Sequence, residues 1–226
     1  QRYKRLIMED TISYKGYTIN IKRDDCPSNP RKDWDPTSTI ASFNCKTIEN
    51  ECEENIDTEY IEGNFDAIKS LYVFNVKMVA ILPLHFKEYS YDCDLNTKGN
   101  GNQIGFVYIS KEMWEQHMGV TDEASESWQK YHKGKSKGDV ARSLIKSEIK
   151  TYEQYLNGEC YSFSIEGDEF DDRCSGYYGN DHEESGLLDA AKESIDCHVN
   201  WLLKAKLKVL KGYLKAKIPI IYRFAS

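Results

Sequence analysis

Two apolar segments separated by a loop of glycine and asparagine constrain the fold of this chain most strongly. Residues 76–84 and 103–110 are rich in β-branched and aromatic side chains, and residues 96–102 form the loop. This composition favours strands bounded by turns. We therefore expect the two segments to form the centre of a β-sheet.

The remaining segments predict an α+β fold. A hairpin is expected over residues 12–21 around Lys15 and Gly16, and a second one from strands at 160–165 and 173–178. Hydrophobic periodicity and capping residues predict helices at residues 65–71, 111–119, 139–156 with Asp139 as the N-cap, 183–196 and 199–217. Because strands and helices are grouped rather than alternating, we expect a mostly antiparallel sheet with helices packed on one face.

The predicted domain organisation is a core followed by a helical arm. A chain of 226 residues can bury one substantial core. We expect an α+β core domain over residues 1–180, with an acidic insertion near 45–62, and a C-terminal amphipathic helical extension over 181–226. The longest apolar run, residues 79–84, is far shorter than the roughly 20 residues of a membrane span. No membrane partner and no signal peptide are therefore expected, and the expected location is the cytoplasm.

Charge is unevenly distributed along the chain. The net charge of -7 disfavours binding of nucleic acid by bulk attraction to phosphate, so no direct nucleic-acid partner is expected. Acidic residues concentrate at 49–62 and 166–172, whereas none follows Asp196. The basic residues of the tail are Lys204, Lys206, Lys208, Lys211, Lys215, Lys217 and Arg223. The tail should therefore be strongly positive.

Sequence motifs for catalysis, cofactor binding or metal binding are missing. The seven cysteines contain no C-x-x-C pair and the five histidines no H-E-x-x-H pair. Cys160 and Cys174 would face each other only if their strands pair in that register, and a cytoplasmic protein keeps such thiols reduced. Neither a phosphate-binding glycine loop nor a serine nucleophile elbow occurs. We therefore expect no enzyme activity, no cofactor and no metal site.

The segment from Asp92 to Asn96 begins like a calcium-binding loop, with the pattern D-x-D-x-N. Such a loop needs a glycine at its sixth position and a glutamate at its twelfth, where this chain has Thr97 and Gln103. We therefore expect a turn. The acidic hairpin tip at residues 168–172 is interpreted as charge that favours solubility.

Several segments together resemble a known group of proteins. They are NPRKDWD at 29–35, ILPL at 81–84, QIGFVYISKE at 103–112, YLNGECY at 155–161 and DRCSGYYG at 172–179. In this order they resemble the N-P-R-x-W-D loop, the I-L-P-L strand, the G-Q-V-G-F-I-Y-V-S-K-E junction, the Y-L-x-G-x-V-Y hairpin and its D-S-C-x-G-F-Y-G end in a family of hypothetical bacteriophage-encoded proteins. The resemblance covers roughly residues 12–180.

The chain also departs from this family in two places. Residues 99–102 replace an expected tryptophan and aspartate, and residues 87–91 replace a Y-D-H-S-G-like turn. Any ligand carried by that turn in the family is therefore not implied for this chain. What the resemblance implies is a phage origin, and small accessory phage proteins commonly bind and block host machinery.

Our leading hypothesis is therefore a non-enzymatic phage protein that acts in the host cytoplasm. It would bind and block a host antiviral defence complex, for example a nuclease system such as Gabija. Tyrosine, at 16 residues, suits protein interfaces because it joins a large apolar face to a polar tip. The predicted partner-binding residues are Trp34, Tyr89, Tyr91, Tyr177, Tyr178, Lys204, Leu207, Lys208, Leu210 and Lys211.

The basic tail carries a further expectation. Its apolar residues at helical spacing are Val199, Leu203, Leu207, Leu210 and Leu214. This stripe predicts an arm for self-association or partner docking, and hence a homo-oligomer, because its charge complements the acidic segments of a second copy. Packing onto the protein's own sheet and binding to a membrane surface are the alternatives.

Two hypotheses from other functional classes stay open at this point. A metal-dependent enzyme acting on nucleic acid would draw its carboxylates from Asp92, Asp94, Asp168, Asp171 or Asp172. An antirestriction protein that mimics DNA would use the acidic residues at 49–62 in place of phosphates.

Overall fold

The computed structural model describes residues 10–43, 45–52, 77–119, 123, 125–167, 170–216 and 222. In chain order its elements are β1 (Asp10–Tyr14), β2 (Tyr17–Arg23), β3 (Thr39–Ser42), β4 (Met78–Glu88), β5 (Cys93–Asn96), β6 (Asn102–Ser110), α1 (Lys111–Met118), α2 (Glu126–His132), α3 (Lys137–Leu156), β7 (Cys160–Gly167), β8 (Phe170–Tyr178) and α4 (Leu187–Lys215). The strands form two antiparallel four-stranded sheets, which confirms the predicted α+β class.

Contacts along the chain define two compact units. The terminal unit comprises Gln1–Pro27 and Cys160–Ser226, and the central unit comprises Ser28–Glu159. This division differs from the predicted boundary at residue 180, because the first turns of α4 contribute to the core of the terminal unit.

The sheet of the terminal unit has the strand order β1-β2-β7-β8. The β1–β2 hairpin turns at Lys15 and Gly16, whose φ angles of 51° and 85° both lie in the left-handed region. Both predicted hairpins are confirmed. The buried core joins β2 and β7 to the start of α4 through Ile19, Ile21, Tyr161, Phe163, Ile165, Leu187, Leu188, Ala191 and Ile195.

The C-terminal helix is continuous, whereas the sequence predicted two helices with a break near residue 197. The helix begins after Gly186, whose φ is 77°, and runs through Lys215. The predicted break is therefore wrong. No glycine or proline lies between residues 187 and 211, so nothing in the backbone interrupts the helix.

The sheet of the central unit has the strand order β3-β6-β4-β5, with β4 and β6 at its centre as predicted. Side chains of β6 alternate between its faces. Val107 and Ile109 join the core that includes the helices, while Phe106 and Tyr108 belong to a separate, smaller cluster.

Helix α3 begins at Lys137, two residues before the predicted cap. Its N-cap is Ser136, whose side chain accepts a hydrogen bond from the backbone N–H of Asp139. Asp139 lies in the first turn instead, where its charge favours the helix N-terminus. The predicted helix at 65–71 and most of the acidic insertion lie outside the described residues. In the described part of the chain, none of the helices combines the length and apolar composition needed to cross a membrane.

Candidate interaction surface on the C-terminal helix

The ten predicted partner-binding residues are distributed over both units. Trp34, Tyr89 and Tyr91 belong to the central unit, and Tyr177 and Tyr178 lie at the end of β8 in the terminal unit. The other five share one helix, α4, and are Lys204, Leu207, Lys208, Leu210 and Lys211. The structure therefore brings half of the predicted set together on one element.

Trp34 lies in a loop that is fixed from within the central unit. Its side chain is exposed and borders a pocket of about 210 Å³ beside α3. The loop is held by Arg31, whose buried guanidinium binds Glu51 at 2.5 Å and Glu148 at 3.2 Å. The Glu148 carboxylate also accepts hydrogen bonds from the backbone N–H groups of Thr37 and Ser38. The loop geometry therefore depends on a buried ion cluster that the sequence analysis missed.

Tyr89 and Tyr91 lie on the exposed turn between β4 and β5. The Tyr89 backbone N–H donates to the carbonyl of Asp92 at 2.8 Å, which closes the turn. In the following loop, Asn96 and Asn100 both donate side-chain hydrogen bonds to the Asp94 carboxylate. Residues Cys93–Asn96 of the D-x-D-x-N segment form strand β5, so the predicted turn is wrong there. The turns lie before and after this strand, and the Asn96 and Asn100 hydrogen bonds to Asp94 hold the second one.

Tyr177 contributes to the core of the terminal unit more than to its surface. Its ring packs against Phe163 with a centroid separation of 5.8 Å. Burial raises the pKa of its hydroxyl to about 12, and the neighbouring Cys174 adds to this effect. Tyr177 is therefore half-buried and partly engaged by the core of its own unit.

The second half of α4 has a different environment from the first. The buried residues of the helix end at Ile195. Beyond it, Trp201 is 64% exposed and Val209 is 56% exposed. Large apolar side chains left in water over several helical turns are typical of an interaction site.

Four leucines of this exposed half form one narrow stripe, which we call the leucine seam: Leu203, Leu207, Leu210 and Leu214. Three of them are 52–53% exposed and Leu210 is half-buried. Their spacing of four, three and four residues places them within about 60° of the helix circumference, at about 100° per residue. Val199, which was predicted to share this stripe, instead packs against the core of the terminal unit.

A row of lysines follows the leucine seam at the same spacing. The lysine row comprises Lys204, Lys208, Lys211 and Lys215, each directly after a leucine of the seam. All four line a groove of about 430 Å³ that also includes Leu207 and Gly212. Lys206 lies on the other side of the seam, about 40° from Leu210. The seam therefore has positive charge on both flanks.

The carboxylates considered for a metal centre are distributed over both units. Asp94 belongs to the central unit, whereas Asp172 belongs to the terminal unit and accepts a hydrogen bond from Ser194 of α4. Asp92 lies near Asp94, Asp171 lies on β8, and Asp168 is outside the described residues. Within the described ranges no group of three or more histidine, cysteine or acidic side chains is placed to hold a metal ion.

The cysteines are not paired with one another. All seven are free. In the β7–β8 register, Cys160 faces Tyr178 and Cys174 faces Phe163, so the two thiols are not opposite each other. Burial raises the pKa of Cys93 and of Cys160 to about 11, with nearby carboxylates adding to the effect. Both therefore lack the reactive thiolate that redox or nucleophilic chemistry needs.

Two of the acidic residues proposed to mimic DNA can be placed. Glu51 is the partner of the buried Arg31, and Glu49 forms an ion pair with Lys32 at 2.9 Å. Both carboxylates are thus engaged inside the central unit. The remaining acidic residues, from position 53 to 62, lie outside the described residues.

Comparisons of the chain with models of protein families, with curated proteins and with solved structures found no match. The resemblance to bacteriophage proteins therefore stays a prediction from the sequence.

Proposed function

We propose that this chain is a phage-encoded, non-enzymatic protein that inhibits a host antiviral defence complex by binding to it in the host cytoplasm. The observation that carries the proposal is the exposed leucine seam with its lysine flanks on α4. The seam gives the protein a surface for association that its own core does not use.

The free energy available from this surface is substantial. Burying a leucine side chain completely is worth about 1.5–3 kcal/mol relative to leaving it in water. Because three of the seam leucines are about half-exposed, covering the seam with a partner gains several kcal/mol before the cost of association.

The kind of target follows from the sequence resemblance. Accessory phage proteins commonly act by blocking host machinery, and a bound protein can block an assembly without any chemistry of its own. A multi-subunit nuclease system such as Gabija offers subunit interfaces that a bound inhibitor can occlude. The uneven charge of the chain supports inhibition by binding, because a basic helix on a net acidic protein favours an acidic surface on its partner.

The proposal is tested by expressing the protein in host strains that each carry one defence system, Gabija included. We expect phage plating to recover on at least one of these strains. We also expect the purified, tagged defence complex from that strain to carry the protein in a fixed stoichiometry. Unchanged plating on every defended strain, together with no stoichiometric complex, would reject the proposal.

A further inference from the structure

We infer that the leucine seam docks an amphipathic helix whose own apolar seam is flanked by acidic residues. This inference rests on the proposed function, because it specifies the partner chemistry of the same surface. It follows from the width of the seam, from the position of the lysines beside it and from the signs of their charges.

The seam has the spacing of a coiled-coil interface. With Leu207 and Leu214 at heptad positions a, Leu203 and Leu210 occupy positions d. Knobs-into-holes packing of two helices uses only positions a and d. These positions cover a narrow strip of the helix surface, and the leucine seam, at about 60°, is similarly narrow. A second helix is therefore the occupant whose shape fits the seam.

The lysines distinguish this packing from insertion into a membrane. A helix that lies in a bilayer surface presents one broad apolar face opposite its charges. Here Lys206 lies between the seam and the apolar side chains of Leu202 and Val209, so it divides the apolar surface in two. In a bilayer surface the Lys206 ammonium group has to reach back to the lipid headgroups, whereas helix packing on the seam leaves it at the edge, where an acidic partner residue can pair with it.

The lysine positions also disfavour a second copy of the same helix. Lys204 and Lys211 occupy position e and Lys206 occupies position g, where charged residues select the partner of a coiled coil. In a parallel pair Lys206 would face Lys211 of the other copy, and in an antiparallel pair Lys204 would face Lys211. Since like charges repel in both orientations, glutamate or aspartate at these positions of the partner fits better.

Peptide binding to the full-length protein tests this inference. Two labelled peptides of about three heptads carry leucine at positions a and d, and either glutamate or lysine at e and g. By fluorescence anisotropy we expect the glutamate peptide to bind roughly tenfold or more tightly than the lysine peptide. The double variant Lys204→Glu/Lys211→Glu should reverse this preference, and Leu207→Asp/Leu210→Asp should lose both peptides while keeping its helical circular dichroism.

Several outcomes would overturn the inference. One is equal affinity for the two peptides, or no binding of either. Another is a wild-type dimer in sedimentation equilibrium that Leu207→Asp/Leu210→Asp dissociates, which would identify a second copy as the occupant. A third is co-sedimentation with phosphatidylserine vesicles that the same variant abolishes.

The peptide experiment is separable from the plating experiment. If the glutamate peptide binds as expected while plating never recovers, the inference stands and the proposed function fails. If plating recovers and neither peptide binds, the proposed function stands and the helical partner is rejected.

Discussion

At the scale of single residues, the most consequential side chain is Arg31. Its side chain is 4% exposed, and its partners Glu51 and Glu148 come from two distant parts of the central unit. One buried cation thus ties the N-P-R-K-D-W-D loop both to the segment after β3 and to α3. The sequence shows the arginine but not its partners, since the contacts span 20 and 117 residues.

Replacing Arg31 with methionine should lower the free energy of unfolding by about 3 kcal/mol, because two partly buried carboxylates lose their counter-charge. Urea denaturation followed by circular dichroism measures this loss. The matched control is Arg142→Met, whose ion pair with Asp139 is exposed and worth about 0–1 kcal/mol. Equal losses in the two variants would contradict the assigned role of Arg31.

The thiols provide a second prediction at the residue scale. At pH 8 Cys93 and Cys160 are almost fully protonated, because burial raises the pKa of each to about 11. Only the thiolate reacts with iodoacetamide, so the exposed Cys26, Cys174 and Cys197 should be alkylated first. The rate at Cys93 and Cys160 should rise as the pH approaches 11. Peptide mapping by mass spectrometry measures the order, and labelling of Cys160 as fast as Cys26 at pH 8 would contradict the buried environment.

At the scale of secondary-structure elements, the sequence predicted those turns and strands that are determined by residues close together in the chain. The turn at Lys15 and Gly16 and the β-branched strands β4 and β6 were found because their signals lie within a few residues. Ser136 and Asp139 are both good capping residues, so the sequence alone did not show which one begins α3. The pairing of the strands into two sheets depends on contacts across the whole chain, and no local pattern reports them.

One strand position should tolerate no side chain. A Cβ atom on Gly105 would lie 2.0 Å from the carbonyl oxygen of Ala41 in the paired strand β3. Gly105→Ala should therefore separate β3 from β6 and destabilise the central unit by at least about 1–3 kcal/mol. A Cβ on Gly212, within α4, meets nothing within 4 Å, so Gly212→Ala should stabilise the helix by up to about 1 kcal/mol. Thermal unfolding measures both, and a harmless Gly105→Ala would show that the strand register is wrong.

The two halves of α4 should respond differently to truncation. Ile195→Ala removes a fully buried side chain and should cost about 2–5 kcal/mol. Leu207→Ala removes an exposed one and should change stability by no more than about 0.5 kcal/mol. Denaturant titration of both variants tests the boundary at Ile195. A loss at Leu207 as large as that at Ile195 would place the leucine seam in the core of the protein.

At the scale of the whole molecule, the chain combines a net charge of -7 with a helix end that carries no acidic residue after Asp196. The sequence predicted this asymmetry of charge. It also predicted five residues of the candidate surface, because helical spacing alone assigns them to one helix. It did not reveal that the exposed surface begins only beyond Val199. That limit is set by how far the sheet of the terminal unit covers α4, which is a property of the fold.

The efficiency of phage plating on a defended host tests the central claim most directly. The strains to compare express the wild-type chain, Leu207→Asp/Leu210→Asp, or Tyr131→Asp, which introduces the same charge on α2 at a side chain that is 72% exposed. The wild type and Tyr131→Asp should both raise plating roughly tenfold or more on a susceptible strain, and the seam variant should not. Burying the two introduced carboxylates in the interface costs more than about 1.4 kcal/mol, which corresponds to a tenfold loss of affinity for the target. Plating that recovers equally with the seam variant would contradict the claim that the exposed half of α4 carries the function.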